Sequence, residues 1–184
     1  MKNFTTKKLV IAALLLALGL VLPFLTAQIP EVGSALLPLH IPVLIGGFVC
    51  GAPLGAVLGL VLPIMRSLLF TMPPLYPAAV AMAFEMAAYG FVCGLLYARL
   101  PRRTWSIYVA LLAAMLAGRV VWGVARLVMS GISGSGFTFA AFLSGAFTTA
   151  IPGIVLQIVL IPLLVMALQR TGFMKEEDDK RLAV

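Results

Sequence analysis

Apolar runs as long as a lipid bilayer is thick recur along this chain, and they leave few folds open to it. Stretches at about 9–27, 40–50, 53–70, 77–98, 104–129 and 141–168 carry almost no charge. An α-helix needs roughly 20 apolar residues to cross ~30 Å of hydrocarbon. No ten-residue alternating pattern suggests a β-barrel. Of the 184 residues 62% are hydrophobic and 10% charged, and the mean hydropathy is +1.14, far above a water-soluble domain. The expectation is an all-α membrane protein with six transmembrane helices, forming one integral membrane domain over 1–184.

Residues 40–70 could be one long segment, but Pro53 lacks an N–H and disfavours helix at Ala52, just after Gly51. Two helices with a break between them are therefore expected, the first too short to cross alone unless it starts within a folded outer loop. Basic residues set the orientation. Lys2, Lys7 and Lys8 precede the first span, Arg99, Arg102 and Arg103 lie between the fourth and fifth, and Arg170 and Lys175 follow the sixth. The positive-inside rule puts all of them, and both termini, on the cytoplasmic side. The opposite loops, around 28–39, 71–76 and 130–140, hold Glu31 and no Lys or Arg. The net charge of +7 is thereby a matter of topology, and the basic flanks form no groove for nucleic acid. Residues 1–27 read as a retained span rather than a cleaved leader, because Leu25 stands where a small residue would precede a cut after Ala27. Cys50 and Cys93 fall near the cytoplasmic ends of their spans and read as buried small hydrophobes.

Small residues recur at Gly47, Gly51, Gly55 and Gly59, a spacing that lets helices approach closely where lipid provides no hydrophobic drive between them. Ala13 and Ala17 lie one turn apart on an uncharged face of the first span, which could meet another helix of this chain or a second membrane protein. The loop "AQIPEVGSALLPLHIP" contains three prolines and suits a stiff cap over the outer helix ends, though a plain connector would also fit. "TMPPLYP" makes a second stiff turn, and "SGISGSG" a flexible one. The ending "KEEDDKRLAV" reads as a solvated tail.

An ionisable side chain inside a membrane costs ~2.5 kcal/mol or more if left unpaired, so each is a functional hypothesis. Arg119, Trp122 and Arg126 share one face of the fifth span, with Arg119 near mid-membrane and Arg126 nearer the outside. Arg66, Glu85 and His40 fall in the outer half of other spans, and Gln157 near the middle of the sixth. Glu85 could merely pin helices by pairing with one arginine, with the others reaching the headgroups. Three arginines against one glutamate, however, leave positive charge that an anionic solute entering from outside would balance. Tyr76, Tyr89 and Trp122 could line the apolar part of such a pocket. No cofactor is implied and no metal site, since the chain has a single His and no cluster of Cys or carboxylates beside it. Paired aspartates or a Ser–His pair for intramembrane hydrolysis are not evident, because Asp178 and Asp179 lie in the tail. There is no nucleotide-binding motif, so any transport must draw its energy from another protein.

The short, broken second and third spans, Ala13-x-x-x-Ala17, and the stretch "LPLHIPVLIGGFVCGAPLGAVLGLVLPIMRSLLFTMPPLYPAAVAMAFEMAAYGFVCGLLY" together resemble the substrate-binding S components of energy-coupling factor (ECF) vitamin transporters. The resemblance spans the whole chain, is strongest over 9–99, and rests on no single diagnostic motif. It implies high-affinity capture of a vitamin at the outer face of a bacterial cell membrane. Docking on a transmembrane coupling protein driven by two ATPase subunits is implied as well, with Ala13 and Ala17 at the contact and the loop at 28–39 as a gate. "HIPVLIGG" and "MPPLYPAAVAMAFE" look most like the pantothenate-type members. Riboflavin, folate or a pyridoxine-like compound remain alternatives, since sequence does not reveal pocket shape. The competing reading is a polytopic scaffold resembling rod-shape-determining proteins, in which these charges only join helices.

Overall fold

The structure, a computed structural model, describes residues 5–26, 35–101, 103–133, 138, 140, 142, 144–145 and 150–171. Helix α1 (Thr6–Val21) continues into a 3-10 turn over Leu22–Thr26, and α2 (His40–Cys50) and α3 (Ala52–Phe70) follow. A π-type turn at Leu75–Ala79 leads into α4 (Val80–Arg99), then come α5 (Thr104–Ser133) and α6 (Ile151–Arg170). Among the described residues five segments are long and apolar enough to cross a membrane, namely Thr6–Phe24, Ala52–Phe70, Leu75–Arg99, Thr104–Gly131 and Ile151–Arg170.

α2 is the exception in length and in environment. Every one of its eleven residues is buried, because α1, α3, α4 and α6 all pack against it. A helix that is apolar on all sides belongs at the centre of a bundle, and this one can be short because its neighbours, rather than lipid, surround it. Leu44 and Val43 are fully enclosed there.

α4 is the other central element, flanked by α2, α3 and α5. Its contact with α3 is backbone on backbone. A Cβ on Gly90 would sit 2.1 Å from the Gly55 carbonyl oxygen, and one on Gly59 would sit 2.2 Å from that of Met86. Without side chains at these positions the two helices close to van der Waals contact along their length, which is how membrane helices gain packing energy. Gly51 serves differently from the other glycines of the four-residue series. Its φ is +90° and a Cβ there would meet nothing, so it makes the turn between α2 and α3 rather than a packing contact.

One end of the bundle gathers the basic residues. Cys50 Sγ donates to the Lys8 carbonyl at 3.6 Å, joining the start of α1 to the end of α2. Gln169 Nε2 donates to the Tyr97 hydroxyl, joining the ends of α6 and α4, where Arg170 and Arg99 stand. At the opposite end Arg66 lies 3% exposed near the end of α3. Its Nη1 donates to the Leu20 carbonyl at 2.6 Å, and its guanidinium stands 5.3 Å and 5.2 Å from the Phe24 and Phe70 ring centroids. It thus ties α3 to a carbonyl in the C-terminal turn of α1. Most of the loop at 28–39, part of the connection at 130–136, residues 141–149 in large part, Arg102, and the tail with Lys175 and the two aspartates lie outside the described residues.

The α3–α4 contact gives a direct test. Gly90→Ala forces backbone against backbone and should destabilise the protein by about 2 kcal/mol. Gly131→Ala, which faces open space, should leave thermal melting in detergent unchanged.

Candidate functional site

Arg119, Tyr89 and His40 approach one carboxylate oxygen of Glu85. Glu85, 1% exposed on α4, faces α5, from which Arg119 Nη1 donates to its Oε1 at 2.8 Å. Tyr89 stands one turn further along α4 on the same face, and its hydroxyl donates to the same oxygen at 3.3 Å. His40, the first residue of α2, brings Nε2 to 3.6 Å of it, beyond hydrogen-bond reach. The His40 and Tyr89 rings meet edge to face with centroids 5.1 Å apart. Gly118 makes room for this group, since a Cβ there would lie 2.4 Å from the Tyr89 ring.

Local chain geometry delivers His40 to this point. Leu37 has a left-handed φ of 51°, and the His40 amide donates to the Leu37 carbonyl at 3.1 Å. A non-glycine residue held in that region stores of order 1 kcal/mol, and such strain concentrates at functional sites. Beside this turn, α6 packs against the chain before His40. A Cβ on Gly153 would come within 2.6 Å of the Ala35 carbonyl oxygen. Gln157, one turn after Gly153 on a helix that packs against both α2 and α5, has no exposed surface.

The hydrogen-bonding capacity of this group is unmet. Among the described residues, His40 Nδ1 and Nε2, Arg119 Nε and Nη2, and both polar atoms of Gln157 are buried without a hydrogen-bond partner. Arg119 Nε and Nη2 form one edge of the planar guanidinium, which matches a bidentate acceptor. Burying a polar group unpaired costs about 1–3 kcal/mol, so several together mark a place completed by something else.

Trp122 and Arg126 lie further along α5. Trp122 is half-buried and stacks on Phe142, with centroids 6.2 Å apart at 29°, and a Cβ on Gly145 would lie 2.8 Å from it. The Arg126 guanidinium sits 5.9 Å from the Trp122 ring centroid. Phe142, which packs against Trp122 and Gly123, is a neighbour that sequence reasoning missed. Tyr76 is 53% exposed and donates to the Met129 carbonyl at 3.2 Å. Arg66, expected among the pocket residues, makes the α1 contacts described above. Among the described residues no three His, Cys, Asp or Glu side chains gather as a metal site.

Ala13 and Ala17 stand on the opposite kind of surface. Both are exposed on α1 together with Val10, Leu14 and Leu18, while Leu15 and Gly19 face inwards.

Membrane-length helices thus enclose a small, buried polar cluster whose hydrogen-bonding capacity is not met among the described residues. The chain belongs to the family described as "ECF transporter, substrate-specific component", whose family model matches residues 7–165. Members are substrate-binding subunits, not enzymes, that work with a separate coupling module and ATPases. No curated protein and no solved structure matched the chain.

The buried pair predicts its own stability behaviour. Glu85→Leu leaves Arg119 charged and uncompensated and should cost about 3 kcal/mol. Adding Arg119→Met to that variant should restore most of the loss, as measured by chemical denaturation in detergent.

Proposed function

We propose that this chain captures a small carboxylate-bearing vitamin, with pantothenate the first candidate, at the outer face of a bacterial plasma membrane and hands it to an ECF coupling module. The observation that carries this reading is the unmet hydrogen-bonding capacity around Glu85, His40, Arg119 and Gln157. A scaffold that used these residues only to join helices would have closed those bonds within itself. Arg119 and Arg126, with Trp122, form one wall of the pocket; Glu85, Tyr89, His40 and Gln157 form the rest. Arg66 contributes by fixing the end of α1. With the basic end facing the cytoplasm, as the positive-inside rule requires, the pocket lies in the outer half of the membrane and both termini are cytoplasmic. The loop at 28–39 gates it.

The exposed Ala13 and Ala17 face is the surface for the transmembrane coupling protein, because small residues let a second helix approach closely in lipid. Replacing both by leucine should leave vitamin binding and melting temperature unchanged while abolishing co-purification with the coupling protein and its two ATPases.

Calorimetric titration of the purified protein with pantothenate, then riboflavin, folate and pyridoxine, tests the function. One-to-one binding of a panel member, weakened at least about tenfold by Arg126→Lys, is the expected result, since lysine cannot reproduce the planar fork. Silence across the panel from folded protein, or full affinity in Arg126→Lys, would favour the scaffold reading.

A further inference from the structure

The charge of the buried cluster closes on itself. Arg119 and Glu85 meet at 2.8 Å and neutralise one another, and what remains open is hydrogen-bonding capacity on Arg119, on the neighbouring His40 and on Gln157 of α6. A carboxylate brought to this depth would stand beside Glu85 as a second anion, and like charges so close oppose each other's ionisation. An uncharged group meets no such opposition. Its oxygens can accept from the Arg119 Nε and Nη2 edge, and its donors and acceptors can exchange bonds with the Gln157 amide, which offers both kinds.

Arg126 is a different environment on the same helix. It follows Arg119 by seven residues on α5, nearly two full turns, and so lies on the same face about 10 Å further along. It is half-buried rather than enclosed, and its guanidinium stands over Trp122. A carboxylate there is matched by a planar fork and is separated from Glu85 by those two turns.

Resting on the capture function proposed above, we infer that the ligand lies lengthwise along α5, with an uncharged polar head deep against Arg119, His40 and Gln157 and its carboxylate at Arg126. The ligand class is a small carboxylic acid whose head, a hydroxyl, amide or cyclic urea, is separated from the carboxylate by about 10 Å. Gln157 then determines specificity for the head, and Arg126 for the acid.

Matched acid and alcohol probes test the orientation. Pantothenate and panthenol differ in having a carboxylate or a hydroxymethyl group at one end. Wild type should prefer the acid by about tenfold or more. Arg126→Gln should lower affinity for the acid to that for the alcohol, and leave the alcohol within about twofold of wild type. Gln157→Met should weaken both probes alike, by about tenfold, while the ligand-free variant melts at or above the wild-type temperature because the amide it loses had no partner. Equal weakening of both probes by Arg126→Gln, loss of the acid alone in Gln157→Met, or a lowered melting temperature in Gln157→Met would each overturn the inference. If wild type binds neither probe, biotin and biotinol, a cyclic urea with a similarly distant acid or alcohol, provide the same comparison. Binding of none of the four overturns the ligand class. Tight binding of riboflavin or pyridoxine in that case would leave the capture function standing while this inference falls.

Discussion

A carboxylate placed inside a membrane must find positive charge or hydrogen-bond donors, and the arrangement of this protein follows from how Glu85 does so. Its Oε1 takes Arg119 from α5 and Tyr89 from its own helix, with His40 of α2 just beyond bonding distance. Two helices are thereby joined at a single atom, with a third packed beside it. The pair is electrically complete but its surroundings are not, because the outer edge of Arg119, the His40 ring and the Gln157 amide keep donors and acceptors that no described residue meets. Under the proposed capture function, stability and recognition are separated within one cluster: the ion pair joins the helices, and the open edges are what the solute would meet.

The packing that brings these side chains together depends on residues with almost no side chain. Gly55 and Gly90 put α3 against α4 at backbone contact, Gly118 admits the Tyr89 ring between α4 and α5, and Gly153 brings α6 against the turn before His40. Each close approach positions a polar residue within about one turn of it. Overpacking at such positions displaces whole helices rather than single side chains, so the site is sensitive to changes that touch none of its polar atoms. Arg66 does a similar task at the far end, tying α1 to α3 through the Leu20 carbonyl and two phenylalanine rings.

Much of this was legible in the sequence because a bilayer imposes a coarse, one-dimensional grammar. Apolar length gives helices, Gly51-Ala52-Pro53 gives a break, and the depth of an arginine follows from its count along the span. What the sequence could not supply is azimuth. Arg66 sits near the end of α3 and bonds the Leu20 carbonyl of α1, and nothing in the spacing tells which neighbour its face will meet. Gly51 fits the four-residue series of small residues but is used for its positive φ, a distinction only the backbone path reveals. The complete burial of α2 was likewise hidden: its brevity suggested an incomplete crossing, whereas its neighbours enclose it. The Trp122–Phe142 stack joins residues twenty positions apart, beyond the reach of any local pattern.

The most direct measurement is a structure of the protein determined with bound pantothenate. The account predicts ligand atoms within hydrogen-bond distance of the Gln157 amide and of Arg119 Nε and Nη2, with the Glu85–Arg119 pair intact. A ligand seated elsewhere, with Gln157 and the Arg119 edge met by water or by other side chains of the protein, would contradict it.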